Sequence, residues 1–376
     1  MKVFSTSLKE KLGKLDYIIV ICGFGMTMIS VLTLFGLRND FRFSGRMFLV
    51  QFLAACAGFV GMTVISLFDY DAIITKFWKA LIVASVISLV LVLIFGESPQ
   101  DDGQKLYIPI GPINVQVSEF VKMMFILSFS KHLDIVKEKI NHPKSIAALL
   151  VHAGIIIGMM LLTGDLGTTL VFICIFAVML FSAGLSLWYF AGAIGFAVIA
   201  FPYIWPHLSE YQQMRILCGF DPYLDPVKYG YQAILSIETI SAGGFWGAGI
   251  SGGTEYKTLP VATTDFLFSV TCEKFGFVGA ALYLLLMIVM IFRIIHIART
   301  SRKDAGSYIC AGVIAILIAQ ATENMGMCLG MLPVIGITMP FLSYGGSSML
   351  ATWLTLGLVQ SVRSHNTKYY FEREKA

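Results

Sequence analysis

Long runs of apolar residues, separated by short polar segments, occupy most of the 376-residue chain. Each run is close to the roughly 20 residues that cross a hydrocarbon core of about 30 Å. Apolar residues are continuous within the runs rather than alternating, which favours helices over barrel strands. The ten predicted spans are residues 17–36, 47–67, 78–96, 116–133, 145–163, 167–184, 187–205, 265–292, 307–327 and 346–362. The pattern therefore predicts an all-α polytopic membrane protein, with ten transmembrane helices in a single integral membrane domain over residues 1–376.

The distribution of lysine and arginine predicts the orientation of these spans. If the N-terminus is cytoplasmic, roughly two thirds of the 27 basic residues fall on the inner side, as the positive-inside rule requires. An even number of spans then places both termini in the cytoplasm. Residues 206–264, between spans seven and eight, become a large extracellular loop.

Two outer segments have internal patterns of their own. Residues 228–242 carry apolar positions at helical spacing, and Gly243 and Gly244 end that run, so we expect a short amphipathic helix on the outer surface. Residues 330–348 contain prolines and glycines that prevent a regular helix, yet they are apolar enough to enter the membrane. Such irregular backbone is tolerated only where protein covers it or where it lines a cavity.

Composition narrows the function classes. Hydrophobic residues make up 57% of the chain and charged residues 13%, against about 25% charged residues in average soluble proteins. This excludes a soluble or disordered protein. The net charge of +4 is too small to indicate a nucleic acid or another polyanion as partner.

Two aspartates stand at the outer ends of predicted spans. Asp265 opens span eight, where it suits a helix N-cap. A carboxylate at that place also suits a general base or a metal ligand, and the two roles are compatible. Asp165, between spans five and six, is best explained as an N-cap in a tight turn.

Three further polar positions lie near the same side. Glu119 and Lys122 are three residues apart on one helical face, so they either form a structural pair or leave Lys122 to contact a phosphate. Arg215 has apolar neighbours and suits bidentate phosphate binding, unless it is a snorkelling surface arginine. Asn324, beside Glu323 near the end of span nine, is explained by an interhelical hydrogen bond.

Polar groups gathered on one face suggest two function classes. One is a membrane enzyme that acts on a lipid-linked substrate at the outer leaflet. The other is a transporter or flippase, which should carry polar residues near the midplane and broken helices in paired positions. The middles of the predicted spans are nearly free of charge, which favours the enzyme.

From about residue 17 to 363 the chain resembles the SEDS (shape, elongation, division and sporulation) family, the RodA/FtsW-type peptidoglycan polymerases. The segments that carry the resemblance are Asp221-Pro with Asp225-Pro, Tyr229-Gly-Tyr-Gln232, Ser241-Ala-Gly-Gly244, Thr264-Asp-Phe-Leu-Phe268, Glu273 with Gly276, Asp165-Leu-Gly167, Gln116 to Lys122, and Leu332-Pro-Val through Pro340-Phe-Leu-Ser-Tyr-Gly-Gly-Ser-Ser348. Residues 330–348 are the most specific of these segments. The sequence that begins at Leu332 favours a RodA-type member.

The resemblance implies a ten-helix bundle with an outward cavity in the bacterial cytoplasmic membrane, among membrane lipids. It implies polymerisation of lipid II into glycan strands on the outer face, together with a class B penicillin-binding protein that supplies the transpeptidase. The family's essential aspartate falls on Asp265, its arginine on Arg215 and its lysine on Lys122. No organic cofactor is expected. A divalent cation, Mg²⁺ or Mn²⁺, held by Asp265 is the rival to a base role, and a lipid II flippase is the alternative function.

Other positions complete the expected site, and some depart from the family pattern. Further substrate-binding positions are Glu119, Tyr107, Asp165, Gln232, Asn324 and Ser343. Tyr107 stands where the family usually has Trp, and it keeps an aromatic ring. The other departures are Val117 for Pro, Val261 and Thr263 for Glu and His, and Glu323 for an apolar residue.

Overall fold

The described chain is mostly helical. The computed structural model describes residues 13–98, 104–111 and 113–366. Its α-helices are α1 (Tyr17–Gly36), α2 (Met47–Leu67), α3 (Tyr70–Phe95), α4 (Val117–Val136), α5 (Pro143–Leu162), α6 (Leu166–Ser182), α7 (Leu187–Ile204), α8 (Glu210–Phe220), α9 (Tyr231–Gly243), α10 (Leu267–Thr300), α11 (Asp304–Cys328) and α12 (Gly346–Ser364). Strands β1 (Tyr107–Ile110) and β2 (Ile113–Gln116) form an antiparallel hairpin just before α4, with Tyr107 opposite Gln116.

Each of the ten predicted spans coincides with one helix, and most bounds agree within a few residues. The largest difference at a start is in α3, which begins at Tyr70 rather than 78, because Asp69 caps it there. Within the described ranges, seven helical segments are long and apolar enough to cross a membrane, and α6 is apolar but shorter. The chain is therefore a multi-pass membrane protein. The count of ten spans stays a prediction, and the terminal residues 1–12 and 367–376 lie outside the described ranges.

The segment predicted as a large loop contains more helix than expected. Helix α9 confirms the predicted run over 228–242, and Gly244, with φ of 53°, ends it. Helix α8 was missed. Ser209 and Gln212 form a capping box at its start, and that sequence pattern is a recognisable helix signal.

Helix α10 is not the continuous span that the sequence predicts. Gly276 has φ of 63° and ψ of −163°, so two helical pieces, 267–275 and 277–300, meet at a break. Loop residues fill the break with backbone hydrogen bonds. Phe277 donates to the Gly244 carbonyl at 2.9 Å, and Ala248 donates to the Glu273 carbonyl at 2.8 Å. The outer loop thus supplies bonds that an unbroken helix would make within itself.

Between α11 and α12, residues 329–345 form neither helix nor strand, and we call them the irregular segment. Many of its side chains are buried, and Leu342 has no exposed surface. Its backbone is bonded by groups from elsewhere in the fold. The bonds are Arg215 Nε to Val334 O (2.6 Å), Asn324 Nδ2 to Ile337 O (2.7 Å), Tyr283 Oη to Pro340 O (2.6 Å), Ser30 Oγ to Leu342 O (2.5 Å), Gln51 Nε2 to Ser343 O (2.9 Å) and Tyr344 N to Thr263 O (2.9 Å). The predicted irregular backbone is confirmed, and protein covers its part over residues 337–343.

Gln51 provides a test of this arrangement. It is fully buried, donates to the Ser343 carbonyl and accepts from the Gly345 amide at 3.2 Å. We expect Gln51→Leu to lower the thermal unfolding temperature of the detergent-solubilised protein, because each buried backbone group left unsatisfied costs about 1–3 kcal/mol. Phe52→Leu, at a partly exposed position of α2, is the matched control. Equal unfolding temperatures for the two variants would contradict the bracing role.

Candidate active site

Asp265 lies in a turn just before α10. The prediction that it caps the helix is wrong, because α10 begins at Leu267 and its N-cap, Phe266, makes no side-chain cap bond. The turn is stabilised by a backbone bond on its N-terminal side, where the Asp265 amide donates to the Val261 carbonyl at 3.2 Å. Val261 adopts φ of 47° there. The Asp265 carbonyl accepts from Asn324 Nδ2 at 2.7 Å. The carboxylate is therefore not used up in capping.

The Asp265 side chain lies against the irregular segment. A Cβ atom added to Gly336 would lie 3.3 Å from Asp265 Oδ2, and Gly336 has φ of 72°. Burial raises the pKa of the Asp265 carboxyl to about 6, although a hydrogen bond with Thr264 and the charge of Arg215 both lower it. The charge of Asp165 raises this pKa further. A carboxylate with a pKa near 6 is ionised at pH 7 and still accepts a proton readily, which suits a general base.

Asp165 caps α6, as the sequence predicts. Its Oδ1 accepts from the Thr168 amide at 2.8 Å, and the residue is 8% exposed. Burial raises the pKa of the Asp165 carboxyl, while the bonds from Thr168 and the charge of Lys122 lower it. Next in the chain, Gly167 lets α6 approach the irregular segment, since a Cβ there would lie 2.7 Å from Ile337 Cγ1. Asp165 thereby reaches the same region as Asp265.

Glu119 and Lys122 form the structural pair that the sequence allows. Lys122 Nζ lies 2.8 Å from Glu119 Oε1, and the side chains are 2% exposed for Lys122 and 5% for Glu119. The pair stands in the first turns of α4, close enough to Asp165 for both charges to act on it. An ammonium has three donors, so the bond to Glu119 leaves Lys122 able to contact a phosphate.

The β1–β2 hairpin places Tyr107 near the carboxylates of the site. Burial raises the pKa of its hydroxyl to about 12, and the charges of Asp265, Glu119 and Asp165 raise it further, in that order of size. The charges of three carboxylates from three different parts of the chain thus act on one phenol. Tyr107, Glu119, Asp165 and Asp265 therefore lie within electrostatic range in one region of the bundle.

Arg215 reaches the site from α8. Its Nε donates to the Val334 carbonyl at 2.6 Å, and its Nη1 donates to Tyr211 Oη at 3.2 Å. The side chain is partly buried, and its charge acts on Asp265. It is therefore anchored rather than a free surface arginine. A guanidinium has five N–H donors, so donors remain for an anion.

The remaining predicted residues have less direct positions. Asn324 makes the interhelical hydrogen bonds that the sequence suggests, to Asp265 and to Ile337, and so positions the acid. Ser343 is 2% exposed and its hydroxyl accepts from the Met339 amide at 2.8 Å. Gln232 is partly buried in the first turn of α9. Substrate contacts by these three residues stay predictions.

Gln51 and Ser30 were not predicted from the sequence. Both are fully buried, and both bond the irregular segment, with Gln51 Nε2 also 3.1 Å from Ser30 Oγ. The available signal was the polar amide of Gln51 inside an apolar span, because such residues usually bond across helices.

A cation at Asp265 would find few protein ligands. In the part of the chain that the structure describes, no group of three or more His, Cys, Asp or Glu side chains could hold a metal ion. Mg²⁺ commonly needs only one or two carboxylates when substrate phosphates complete its coordination. Asp265 fits that limited role as a single ligand.

The FtsW/RodA/SpoVE family model, described as "Cell cycle protein", matches residues 14–368, so the chain belongs to this family. The resemblance to the SEDS family is thereby confirmed. Stage V sporulation protein E of Bacillus subtilis strain 168 is 32% identical over 352 residues, covering 90% of this chain and 93% of that relative. A probable peptidoglycan glycosyltransferase FtsW of Trichlorobacter lovleyi is 30% identical, covering 92% of this chain and 91% of that relative.

Solved structures share the fold. A chain in "Structural coordination of polymerization and crosslinking by a peptidoglycan synthase complex" has a TM-score of 0.81 at 27% identity, over 94% of this chain and 99% of that chain. The rod shape determining protein RodA of Thermus thermophilus has a TM-score of 0.70 at 23% identity, over 94% and 98%, which is a likeness of fold. Sequence relatives and structures carry different family names, so the preference for a RodA-type member stays a prediction.

The charge of Arg215 gives a test of the site geometry. Because that charge lowers the pKa of Asp265, we expect Arg215→Ala to raise it further above its ordinary value. Apolar carbodiimides modify protonated carboxyl groups, so the pH at which Asp265 becomes half-modified should move upward in the variant, as followed by peptide mass spectrometry. Arg42→Ala removes an arginine that pairs with Asp40 instead, and it should leave the midpoint in place. An unchanged midpoint in Arg215→Ala would show that the two groups do not interact.

Proposed function

We propose that this protein is a peptidoglycan glycosyltransferase that polymerises lipid II into glycan strands on the outer face of the cytoplasmic membrane. Family membership supports the class, since several relatives are named probable peptidoglycan glycosyltransferase FtsW. The observation that carries the proposal is the Asp265 carboxylate. It is held by its backbone rather than by capping, has a pKa near 6, and interacts with the anchored Arg215.

The proposed topology uses ten helices, α1–α7 and α10–α12, as spans. Both termini are then cytoplasmic, and α8 and α9 lie outside. The charged cluster of Lys131, Asp134, Lys137 and Asp304 supports this orientation. Lys137 pairs with Asp304 at 2.7 Å, so the end of α4 meets the start of α11 at the face assigned to the cytoplasm. The site residues lie at the opposite ends of these helices.

The proposed reaction inverts the anomeric centre of the donor sugar in one displacement. Asp265 accepts the proton of the acceptor 4-hydroxyl while that oxygen bonds to the donor anomeric carbon. The bond between that carbon and the pyrophosphate oxygen breaks, and the polyprenyl pyrophosphate leaves with the electron pair. Arg215 and Lys122 offset the charge that develops on the leaving group. Both keep donors beyond those that bond protein atoms.

A divalent cation is compatible with this assignment. Asp265 would supply one ligand, and the substrate pyrophosphate would supply others. When bound, such a cation supplies positive charge to the pyrophosphate. The protein's own residues still orient the acceptor sugar and hold Asp265 in place.

We further propose a class B penicillin-binding protein as partner. The support is the likeness to a chain of a peptidoglycan synthase complex that couples polymerization and crosslinking. Activity assays should therefore include that partner.

The first test separates a polymerase from a lipid II flippase. Detergent abolishes sidedness, so a flippase makes no product there. We expect the purified protein, with its partner, to convert lipid II into glycan chains that gel electrophoresis resolves. Asp265→Asn should lower the rate at least 10²-fold, the usual contribution of a general base. Asp40→Asn, at an outer position paired with Arg42, is the control. Near-wild-type turnover by Asp265→Asn would exclude the base role.

The second test is the pH profile at fixed cation concentration. With a pKa near 6, Asp265 is protonated below pH 6 and cannot accept the acceptor proton. We therefore expect kcat/KM to fall as the pH drops through about 6, nearly tenfold per pH unit. An aspartate with its ordinary pKa, about 3.9, would keep the rate level down to about pH 5. A level profile would contradict the role of Asp265 as the base.

A further inference from the structure

Two polar side chains of α11 have no hydrogen-bond or ion-pair partner among the described residues. Gln320 is 4% exposed and Glu323 is 8% exposed. Buried polar groups nearly always have a partner. An ionisable group inside a membrane protein in particular is expensive and usually pairs or functions. These two residues therefore need an explanation that the fold itself does not give.

Both side chains point into the bundle. Ile318 and Thr322 are exposed and mark the outer side of α11. On the inner side, a Cβ added to Gly312 would lie 2.8 Å from Ile126 of α4 and 3.0 Å from Met179 of α6. Glu323 follows Gly312 by about three turns, so its side chain leaves the helix in nearly the same direction. Glu323 thus faces the gap between α4 and α6.

The height of Glu323 places it beside the candidate active site. The next residue, Asn324, bonds the Ile337 carbonyl, and Ile337 packs against Gly167 at the start of α6. Since the end of α4 meets the start of α11, the end of α11 lies at the level where α4 begins. Glu323 is therefore level with the first turns of α4 and α6.

One more unbonded hydroxyl occurs at this level. Ser118, in the first turn of α4, is 6% exposed, and its hydroxyl has no hydrogen bond among the described residues. Ser118 also lines a crevice together with Thr163 and Asp165. Two helices, α4 and α11, thus direct unpaired polar groups toward one region next to Asp165.

The unpaired groups are not sealed in. Among the described residues, the only completely enclosed side-chain nitrogen or oxygen without a hydrogen bond is Trp353 Nε1. Every polar side-chain atom of Gln320 and Glu323 therefore keeps some accessible surface that a polar ligand can contact. Space with unpaired donors and acceptors suits a polar ligand, not an acyl chain.

The geometry points to Gln320 and Glu323 as residues that bind a sugar of the lipid-linked substrate, through its hydroxyl or N-acetyl N–H groups. This assignment rests on the proposed function. A carboxylate accepts hydrogen bonds from hydroxyl and amide groups, and a carboxamide both donates and accepts. A carboxylate repels phosphate, whereas Arg215 and Lys122 attract it. The site therefore divides the substrate by chemistry, with the sugar toward α11 and the pyrophosphate toward the two cations.

Direct binding tests the assignment independently of turnover. The full chain in detergent is titrated with lipid II and with sugar-free polyprenyl pyrophosphate, which keeps the carrier and the phosphates. We expect Glu323→Val to raise the Kd for lipid II about tenfold, the effect of losing one hydrogen bond to a charged group. The Kd for the sugar-free carrier should stay within about twofold. Gln320→Leu should act in the same direction. Thr322→Val, on the exposed side of α11, is the matched control.

Other results would overturn the sugar assignment, the proposed function or both. Unchanged lipid II affinity in Glu323→Val, or equal weakening of both ligands, would overturn the sugar assignment. Because Glu323 has no partner to lose, the variant should unfold at the same or a higher temperature, and a clear drop would show a structural role instead. Sugar-dependent binding without polymerisation by the wild type would count against the proposed function alone. Failure of the wild type to bind lipid II would overturn both.

Discussion

The backbone of the irregular segment sets the strongest constraint on this structure. Residues 337–343 of this segment are mostly buried without the hydrogen bonds of a helix or a sheet, and lipid supplies none. Each carbonyl that lacks a partner within the segment must therefore accept a hydrogen bond from a donor elsewhere in the fold. Ser30, Gln51, Tyr283 and Asn324 supply such donors from four different helices. These four helices therefore pack so that their donors reach one chain segment.

The same segment forms the surface on which the candidate site is built. Arg215 bonds Val334 and also lowers the pKa of Asp265, so one side chain serves both the backbone and the acid. Asn324 does likewise, because its amide bonds both Ile337 and Asp265. Such shared contacts fix the acid with few residues. They also mean that substitutions at Arg215 or Asn324 change geometry and electrostatics together.

The sequence predicts the helices well and the site less completely. Runs of apolar residues locate ten helices because burial in lipid demands both length and hydrophobicity. The cap at Asp165 is likewise local, since its partner Thr168 is three residues away. The cap expected at Asp265 fails because tertiary bonds override the local preference: Tyr344 and Asn324 bond Thr263 and Asp265 and hold the turn open. Partners so distant in the chain leave no periodic trace in the sequence.

The break in α10 also went unpredicted, for the same reason. The predicted span 265–292 runs through Gly276 as one helix, whereas the bonds that stabilise the break come from residues 244–249. Helix α8 differs, because its capping box was present in the sequence and was overlooked. Long-range hydrogen bonds, rather than weak propensities, therefore account for most of the errors.

The break at Gly276 has a mechanical consequence. Loop residues bond both pieces of α10, at Glu273 and Lys274 on one side and at Phe277 and Val278 on the other. Loop residues 244–249 therefore fix the angle between the piece of α10 next to Asp265 and the longer piece that runs through the bundle. The direction of the Asp265 side chain thus depends on a short loop outside the membrane helices. That loop contains none of the residues that contact Asp265.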